Sequence, residues 1–357
     1  MGIRKNKLSN NIIIIQEDLE NIISENLPWA ELEGKNILIT GANGFLPAYM
    51  VETILHINDK KFSKKAQVIA LVRNIEKAQK RFAQYIGRDD LLFLVQDVSE
   101  PINLDQKIDY IIHAASQASP KYYGIDPVGT LSANVLGTNY LLKIARQNLL
   151  KSFLYFSSSE VYGKVSEDKN TINENDYGYL DPINVRSCYA ESKRMGENMC
   201  VSWKHQYGIP TKIVRPFHIY GPGMSLDDGR VYADFVSNIV NNNNIIMKSD
   251  GKSRRSFCYL RDATIAFFKV LFEGKEGEAY NVGNPNEEIS IIELAKRLIK
   301  MFPEKKLKIV ESSENIEGYL KSAVLRICPD ITKMNKLGWF PKISIEEGFY
   351  KTIKSYK

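Results

Sequence analysis

Asn36-Ile37-Leu38-Ile39-Thr40-Gly41-Ala42-Asn43-Gly44-Phe45-Leu46-Pro47 decides the fold. Ile37, Leu38 and Ile39 make a short apolar run with the branching of a buried strand. Two glycines follow, and Ala48, Val51, Ile54 and Leu55 then recur at helical spacing. In a strand–turn–helix unit, glycines let the backbone approach a pyrophosphate, and the helix N-terminus favours its charge. Gly41, Asn43, Gly44, Phe45 and Leu46 are therefore candidate cofactor contacts. The third position, usually glycine, is Pro47, which a first helical turn tolerates because its missing N–H has no partner there.

Outward from this unit the chain alternates β and α. Residues 67–72 read as a second strand, 91–95 as a third and 110–112 as a fourth. Residues 127–149 form a long helix, 153–156 a strand, and 212–216 a sixth strand. That rhythm predicts an α/β fold with a doubly wound parallel sheet. A NAD site often carries an acid after its second strand to hold the ribose. Here Arg73 stands instead, which suits the 2′-phosphate of NADP and equally a solvated surface. Asp97 and Val98 follow the third strand. His113, Ala114, Ala115 and Ser116 follow the fourth, where small residues leave room for a cofactor. His113 reads as structural or cofactor-side, since nothing near it in sequence would orient a base.

After the 153–156 strand come Ser158, Ser159 and Glu160, and later Tyr189-x-x-x-Lys193 on a predicted helix. In open α/β sheets, ligands bind at the carboxyl ends of strands. Residues four apart share a helical face. A tyrosine ionises near pH ~10, and an ammonium one turn away is expected to lower that toward the working range. Ser158 is expected to hold the same substrate oxygen. On this helix Met195, Met199 and Trp203 are expected to form a core stripe.

The 357 residues suffice for one large domain with a smaller one attached; 44% are hydrophobic and 25% charged, as in soluble globular proteins. The net charge of +6 is scattered, so no nucleic-acid partner is expected. Cys188, Cys200, Cys258 and Cys328 show no metal-ligand spacing, so no metal is expected and reduced thiols in a cytoplasmic protein are. Neither a membrane span nor a signal peptide is expected; Ile12–Ile15 is too short for either. Residues 1–34 read as an added amphipathic helix, with Ile15, Leu19, Ile22 and Ile23 inward and Glu17, Asp18 and Glu20 opposite. Residues 35–220 form the dinucleotide-binding unit. Residues 221–357 form mainly a smaller unit, with a helix at 231–240, a helix at 291–301 and segments returning to the sheet. Arg254, Arg255 and Arg261 there suit a solvated face or a diphosphate, which arginine binds bidentately.

Gly41-x-x-Gly44, His113-Ala114-Ala115, Tyr189-x-x-x-Lys193, Arg215-Pro216, Asn281-x-Gly283-Asn284 and Pro329-Asp330…Leu337-Gly338-Trp339 together resemble one family. It is the NAD-dependent epimerase/dehydratase family of extended short-chain dehydrogenases/reductases, which act on nucleotide sugars. Within it, Ala118-Ser119-Pro120, Cys188-Tyr189, Lys193-Arg194, Asp228-Gly229-Arg230-Val231 and the Ser159-Glu160 pair are similar to the UDP-glucuronate decarboxylase (UDP-xylose synthase) group. His218 and Gly223 depart from that group's Asn and Arg. The dTDP-glucose 4,6-dehydratases carry Asp-Glu where this chain has Ser159-Glu160; dehydration and C4 or C5 epimerisation stay open as alternatives.

The resemblance implies a Rossmann fold with a smaller C-terminal substrate-binding domain, a recycled NAD, and a nucleotide-sugar substrate. It implies a homodimer paired through the helices after Pro127 and Cys188. It places Tyr189, Lys193, Ser158, Ser159 and Glu160 in catalysis. Ser119, Tyr123, His218, Arg230, Arg255 and Arg326 fall on the substrate side.

Overall fold

The computed structural model describes residues 10–166, 169–311 and 325–356. The first nine residues of the expected N-terminal extension lie outside the described residues. Strands β1 (Asn36–Thr40), β2 (Gln67–Val72), β3 (Leu91–Val95), β4 (Tyr110–His113), β5 (Ser152–Phe156) and β6 (Thr211–Pro216) lie in one parallel sheet. The chain then makes the short strands β7 (Ile219–Tyr220), β8 (Ile245–Met247), β9 (Arg254–Ser256) and β10 (Cys258–Tyr259). It returns to the main sheet as β11 (Ala279–Val282), and β12 (Glu288–Ser290), β13 (Ile309–Glu311) and β14 (Arg326–Ile327) follow. The sheet order is β11-β6-β5-β4-β1-β2-β3. The order reverses beside β1, so β1 and β4 frame the crevice at which such sheets bind ligands.

Alternation along the strands explains the two covered faces. Ile37 and Ile39 point into a core with α1 (Asn10–Ser24), α2 (Phe45–Lys60), part of α3 (Ile75–Arg81) and α7 (Leu260–Glu273). Leu38 points the other way, into a core with α4 (Pro127–Gln147) and α5 (Cys188–Tyr207). A third core joins α6 (Val231–Val240), α8 (Ile291–Lys300) and α10 (Ile345–Lys354); α9 (Thr332–Lys336) packs on β11. Among the described residues no helix is long and apolar enough to cross a membrane, and the four cysteines are free and buried.

Two sequence expectations change. Asp18 is not on the solvent side of α1: it is fully buried with Ile15, Leu19, Ile22 and Ile23. Positions 15, 18, 19, 22 and 23 are one i, i+3, i+4, i+7, i+8 stripe, so the carboxylate faces the body and is met there. Tyr259 Oη donates to it at 2.7 Å and Tyr49 Oη at 3.3 Å. On α5 the expected core stripe of Met195, Met199 and Trp203 holds only in part: Met199 and Trp203 pack against the core and Met195 does not. Met195 is exposed and the other two are half-buried, while Tyr189, Lys193, Gly196 and Cys200 are buried. Gly196 sets this rotation, because only a residue without a side chain fits under the Tyr155 phenol of β5.

Candidate active site

The glycine turn leaves β1 through Gly41, whose φ of +62° favours glycine. A β-carbon there would stand 2.8 Å from Ala115 Cα, so the turn after β1 and the turn after β4 pack backbone to backbone. Thr40 Oγ1 accepts the Ala115 N–H at 3.1 Å and lies 2.8 Å from His113 Nδ1, and His113 Nε2 lies 3.1 Å from Thr138 Oγ1. Burial and the nearby Lys193 push the His113 imidazole down to about 3. It is a neutral tie between β1, β4 and α4, as its lack of an orienting neighbour suggested.

Gly44 caps α2 without a side chain, and Pro47 sits in the first turn. The first amides of α2, at Phe45 and Leu46, therefore have no side-chain acceptor from the cap, the arrangement that takes a phosphate. Ser116 Oγ is buried and has no hydrogen-bond partner. A close cradle of glycine and alanine, an uncapped helix start and an orphaned hydroxyl fit a dinucleotide. Val98 packs over Gly137 at the edge of this cradle. Asp97 accepts from Ser99 N at 2.9 Å and Oγ at 2.6 Å, with the exposed Arg73 guanidinium 3.9 Å away.

Ser158 caps the 3₁₀ turn Ser159–Tyr162 after β5, its Oγ accepting the Glu160 N–H at 3.2 Å, and the same hydroxyl acts on the Tyr189 phenol. Lys193 is buried; Nζ donates to the Phe156 carbonyl at 2.6 Å and lies 5.8 Å from the Tyr189 ring centroid. The sequence thus brings Ser158, Tyr189 and Lys193 to one place. Their electrostatics differ from expectation. Burial pushes the Tyr189 phenol up to about 12, Glu160 adds to the rise, and Ser158, Arg230 and Arg186 oppose it. Burial pushes Lys193 down to about 7, opposed by Glu197. Desolvation outweighs the ammonium because Lys193 is turned to a carbonyl rather than to the phenol oxygen. Glu197 in turn receives a bidentate Arg215 at 2.8 and 2.6 Å and the Ser157 hydroxyl at 2.5 Å.

On the substrate side, His218 has an unusual φ of +40° and a buried Nδ1 with no partner. Burial, then Arg255 and Arg230, hold its imidazole well below the ordinary range. The fold thus gathers 218, 230 and 255 from separate segments. Arg230 also donates to Asp228 and to the Ala118 carbonyl, each at 2.7 Å. Ser119 Oγ donates to the Asp228 carbonyl at 2.6 Å, so its hydroxyl joins two loops.

Tyr123 supports the ring of Tyr189. It is fully buried, its hydroxyl donates to the Ala118 carbonyl at 3.0 Å, and its ring stacks on Tyr189. Arg326 is engaged elsewhere, with Glu288 at 2.6 and 2.7 Å and Asn170 at 2.7 Å. Arg261 turns to its neighbour Asp262 at 3.0 Å. Sequence reasoning missed Glu197, although its i+4 spacing from Lys193 was a signal, and Arg186, which carried none.

The NAD dependent epimerase/dehydratase family matches residues 37–283. UDP-glucuronic acid decarboxylase 6 of Arabidopsis thaliana is 34% identical over 315 residues, 87% of this chain and 86% of the relative. UDP-glucuronic acid decarboxylase 1 of Xenopus tropicalis is 31% identical over 350 residues, 96% of this chain and 77% of the relative. A solved structure of UDP-glucuronic acid 4-epimerase from Bacillus cereus, in complex with UDP-glucuronic acid and NAD, gives a TM-score of 0.74 at 22% identity, covering 90% of this chain and 98% of that one. UDP-glucose 4-epimerase from Thermotoga maritima gives 0.76 at 22% identity, over 90% and 98%. These structures share the fold. With the family matched over residues 37–283, and relatives above 30% identity along most of the chain, this protein belongs to the NAD-dependent epimerase/dehydratase family.

Proposed function

We propose that this enzyme decarboxylates a UDP-glucuronate-like nucleotide sugar through a 4-keto intermediate. The observation that carries the reading is the assembly of Ser158 and Lys193 around a buried Tyr189 at the carboxyl end of β5. Bound NAD, held by the turns at Gly41–Leu46 and Ala114–Ser116, would supply the means to oxidise C4 and later to reduce it. In its phenolate form, Tyr189 Oη takes the C4 hydroxyl proton, and Ser158 Oγ orients the same oxygen. A ketone at C4 makes the C5 carboxylate a β-keto acid, which loses carbon dioxide without a further base; the C–C bonding pair is left as an enolate, whose C5 takes a proton from solvent. Tyr189 Oη then returns its proton to the C4 oxygen. Ser159 can hydrogen-bond the carboxylate without repelling it, whereas an acid there would set two negative charges together. His218, Arg230 and Arg255 take the nucleotide side, in the lobe built mainly from residues 221–357.

NAD is the proposed cofactor: Arg73 already faces Asp97, an arrangement that leaves its charge partly answered without a 2′-phosphate. We also propose a homodimer. Val128, Leu131 and Leu136 on α4, and Met195 and Val201 on α5, are exposed apolar side chains, and a two-fold pairing of these helices would cover them. A cytoplasmic setting accords with four free thiols.

The test is incubation of the holoenzyme with UDP-glucuronate, reading carbon dioxide and the nucleotide sugar formed. Release of carbon dioxide with a UDP-pentose supports the proposal. A product that keeps its carboxylate and is inverted at C4 would make the enzyme an epimerase. Conversion of UDP-glucose to a 4-keto-6-deoxy sugar, with no carbon dioxide from UDP-glucuronate, would make it a dehydratase.

A further inference from the structure

Arg186 is in none of the motifs named above, yet it meets three parts of the site. It lies in the 3₁₀ turn Val185–Ser187 that leads into α5, with its own N–H held by Asn184 Oδ1 at 2.9 Å. Its Nη1 donates to Glu160 Oε2 at 3.0 Å. Its guanidinium carbon stands 4.7 Å from the Tyr123 ring centroid, the geometry of a cation on an aromatic face. The Tyr123 ring stacks on Tyr189, with centroids 5.0 Å apart and planes at 14°. Tyr123 cannot swing away: it is fully buried, and its hydroxyl is tied to the Ala118 carbonyl.

We infer that Arg186 is a positioning residue for Tyr189: it fixes the Glu160 carboxylate and braces the Tyr123 ring on which the Tyr189 ring rests. The inference rests on the reading of Tyr189 as the proton acceptor. The physical need is plain. A phenol that must ionise sits near a carboxylate whose charge opposes ionisation, and Arg186 is that carboxylate's ion-pair partner. Arg230 also acts favourably on Tyr189, but its Nη1 is paired with Asp228 and its Nη2 with the Ala118 carbonyl. Removing Arg186 would leave Glu160 without this partner and would loosen the aromatic stack in one stroke. A lysine at 186 would keep the charge and lose the flat face.

The experiment uses the NAD-bound protein with tyrosines labelled at the ring carbon bearing oxygen, the Tyr189 resonance being assigned by its loss in Tyr189→Phe. In Arg186→Gln that resonance should move, because ring stacking sets its shift. The acid limb of kcat/KM for UDP-glucuronate should also rise by about one pH unit, the scale of an uncompensated neighbouring charge. Arg186→Lys should restore the limb toward wild type while the resonance stays displaced. An unmoved Tyr189 resonance in Arg186→Gln would overturn the inference, whatever the activity. Full turnover in Tyr189→Phe would instead overturn the reading of Tyr189 as the proton acceptor, and the resonance would still judge whether Arg186 positions it.

Discussion

Gly196 lies directly under Tyr155: a β-carbon at 196 would stand 2.1 Å from the phenolic oxygen. Tyr155 is fully buried in β5 and has nowhere to retreat. The helix that carries Tyr189 and Lys193 therefore docks at a distance set by one missing methyl group. Gly196→Ala should destabilise the fold by about 1–3 kcal/mol, the usual range for overpacking. It should also lower kcat, because α5 must move and Tyr189 and Lys193 move with it. Denaturant unfolding and steady-state kinetics on the same preparation check both.

Tyr189→Phe should leave NAD binding nearly unchanged and reduce turnover by roughly a hundredfold or more, the scale of a lost general base. Isothermal titration with NAD, followed by product formation from UDP-glucuronate, separates the two effects.

Asp18 makes stability depend on pH. Burial pushes its carboxyl up from 3.8 to about 6, against hydrogen bonds from Tyr259 and Tyr49 and the charges of Lys351 and Arg261. Between those two values the folded chain holds a proton that the unfolded chain has released. Stability therefore falls as pH rises through that window, and the cost is fully present above it. Asp18→Asn should stabilise the protein at neutral pH by about 1–2 kcal/mol and flatten the slope. Thermal melts across the window read it; an unchanged slope would show that Asp18 ionises as freely folded as unfolded.

Arg73→Asp should weaken NADP binding far more than NAD binding, since it sets a negative charge where a 2′-phosphate would lie. In the wild type, Asp97 beside Arg73 should already favour NAD. Equal affinities for the two cofactors in both proteins would make Arg73 a solvated residue.

Ser159→Asp should weaken binding of UDP-glucuronate and slow carbon dioxide release, because a second carboxylate would face the one on the sugar. Binding of UDP-glucose, which lacks that group, should change less. The comparison of the two sugars is the measurement.

The local periodicities carried most of the fold. Strand–glycine–helix at residues 36–55 and the tyrosine four residues before Lys193 were both legible, since each is written within one or two turns of chain. Asp18 was misread because a charged residue was assigned to water, although its spacing from Ile15 and Ile22 already put it inward. The buried face of α5 depended on how Gly196 meets Tyr155, a contact between elements that no periodicity encodes. Arg186, Glu160 and Tyr123 converge from three separate loops, so their partnership exists only once the sheet has brought those loops together. The ionisation order of Tyr189 and Lys193 was hidden for a related reason: it depends on how completely each is buried.

Helix α1 packs on α2, α7 and α10, and its Asp18 is bonded to Tyr259. It is the earliest helix described, yet during synthesis two of its three partners are made only after residue 260 and after residue 345. Until then Ile15, Leu19, Ile22 and Ile23 lack the cover of α7 and α10. The later-made α10 is thus the helix that closes α1, and a chain stalled before α10 would leave part of this apolar stripe open to water and proteases.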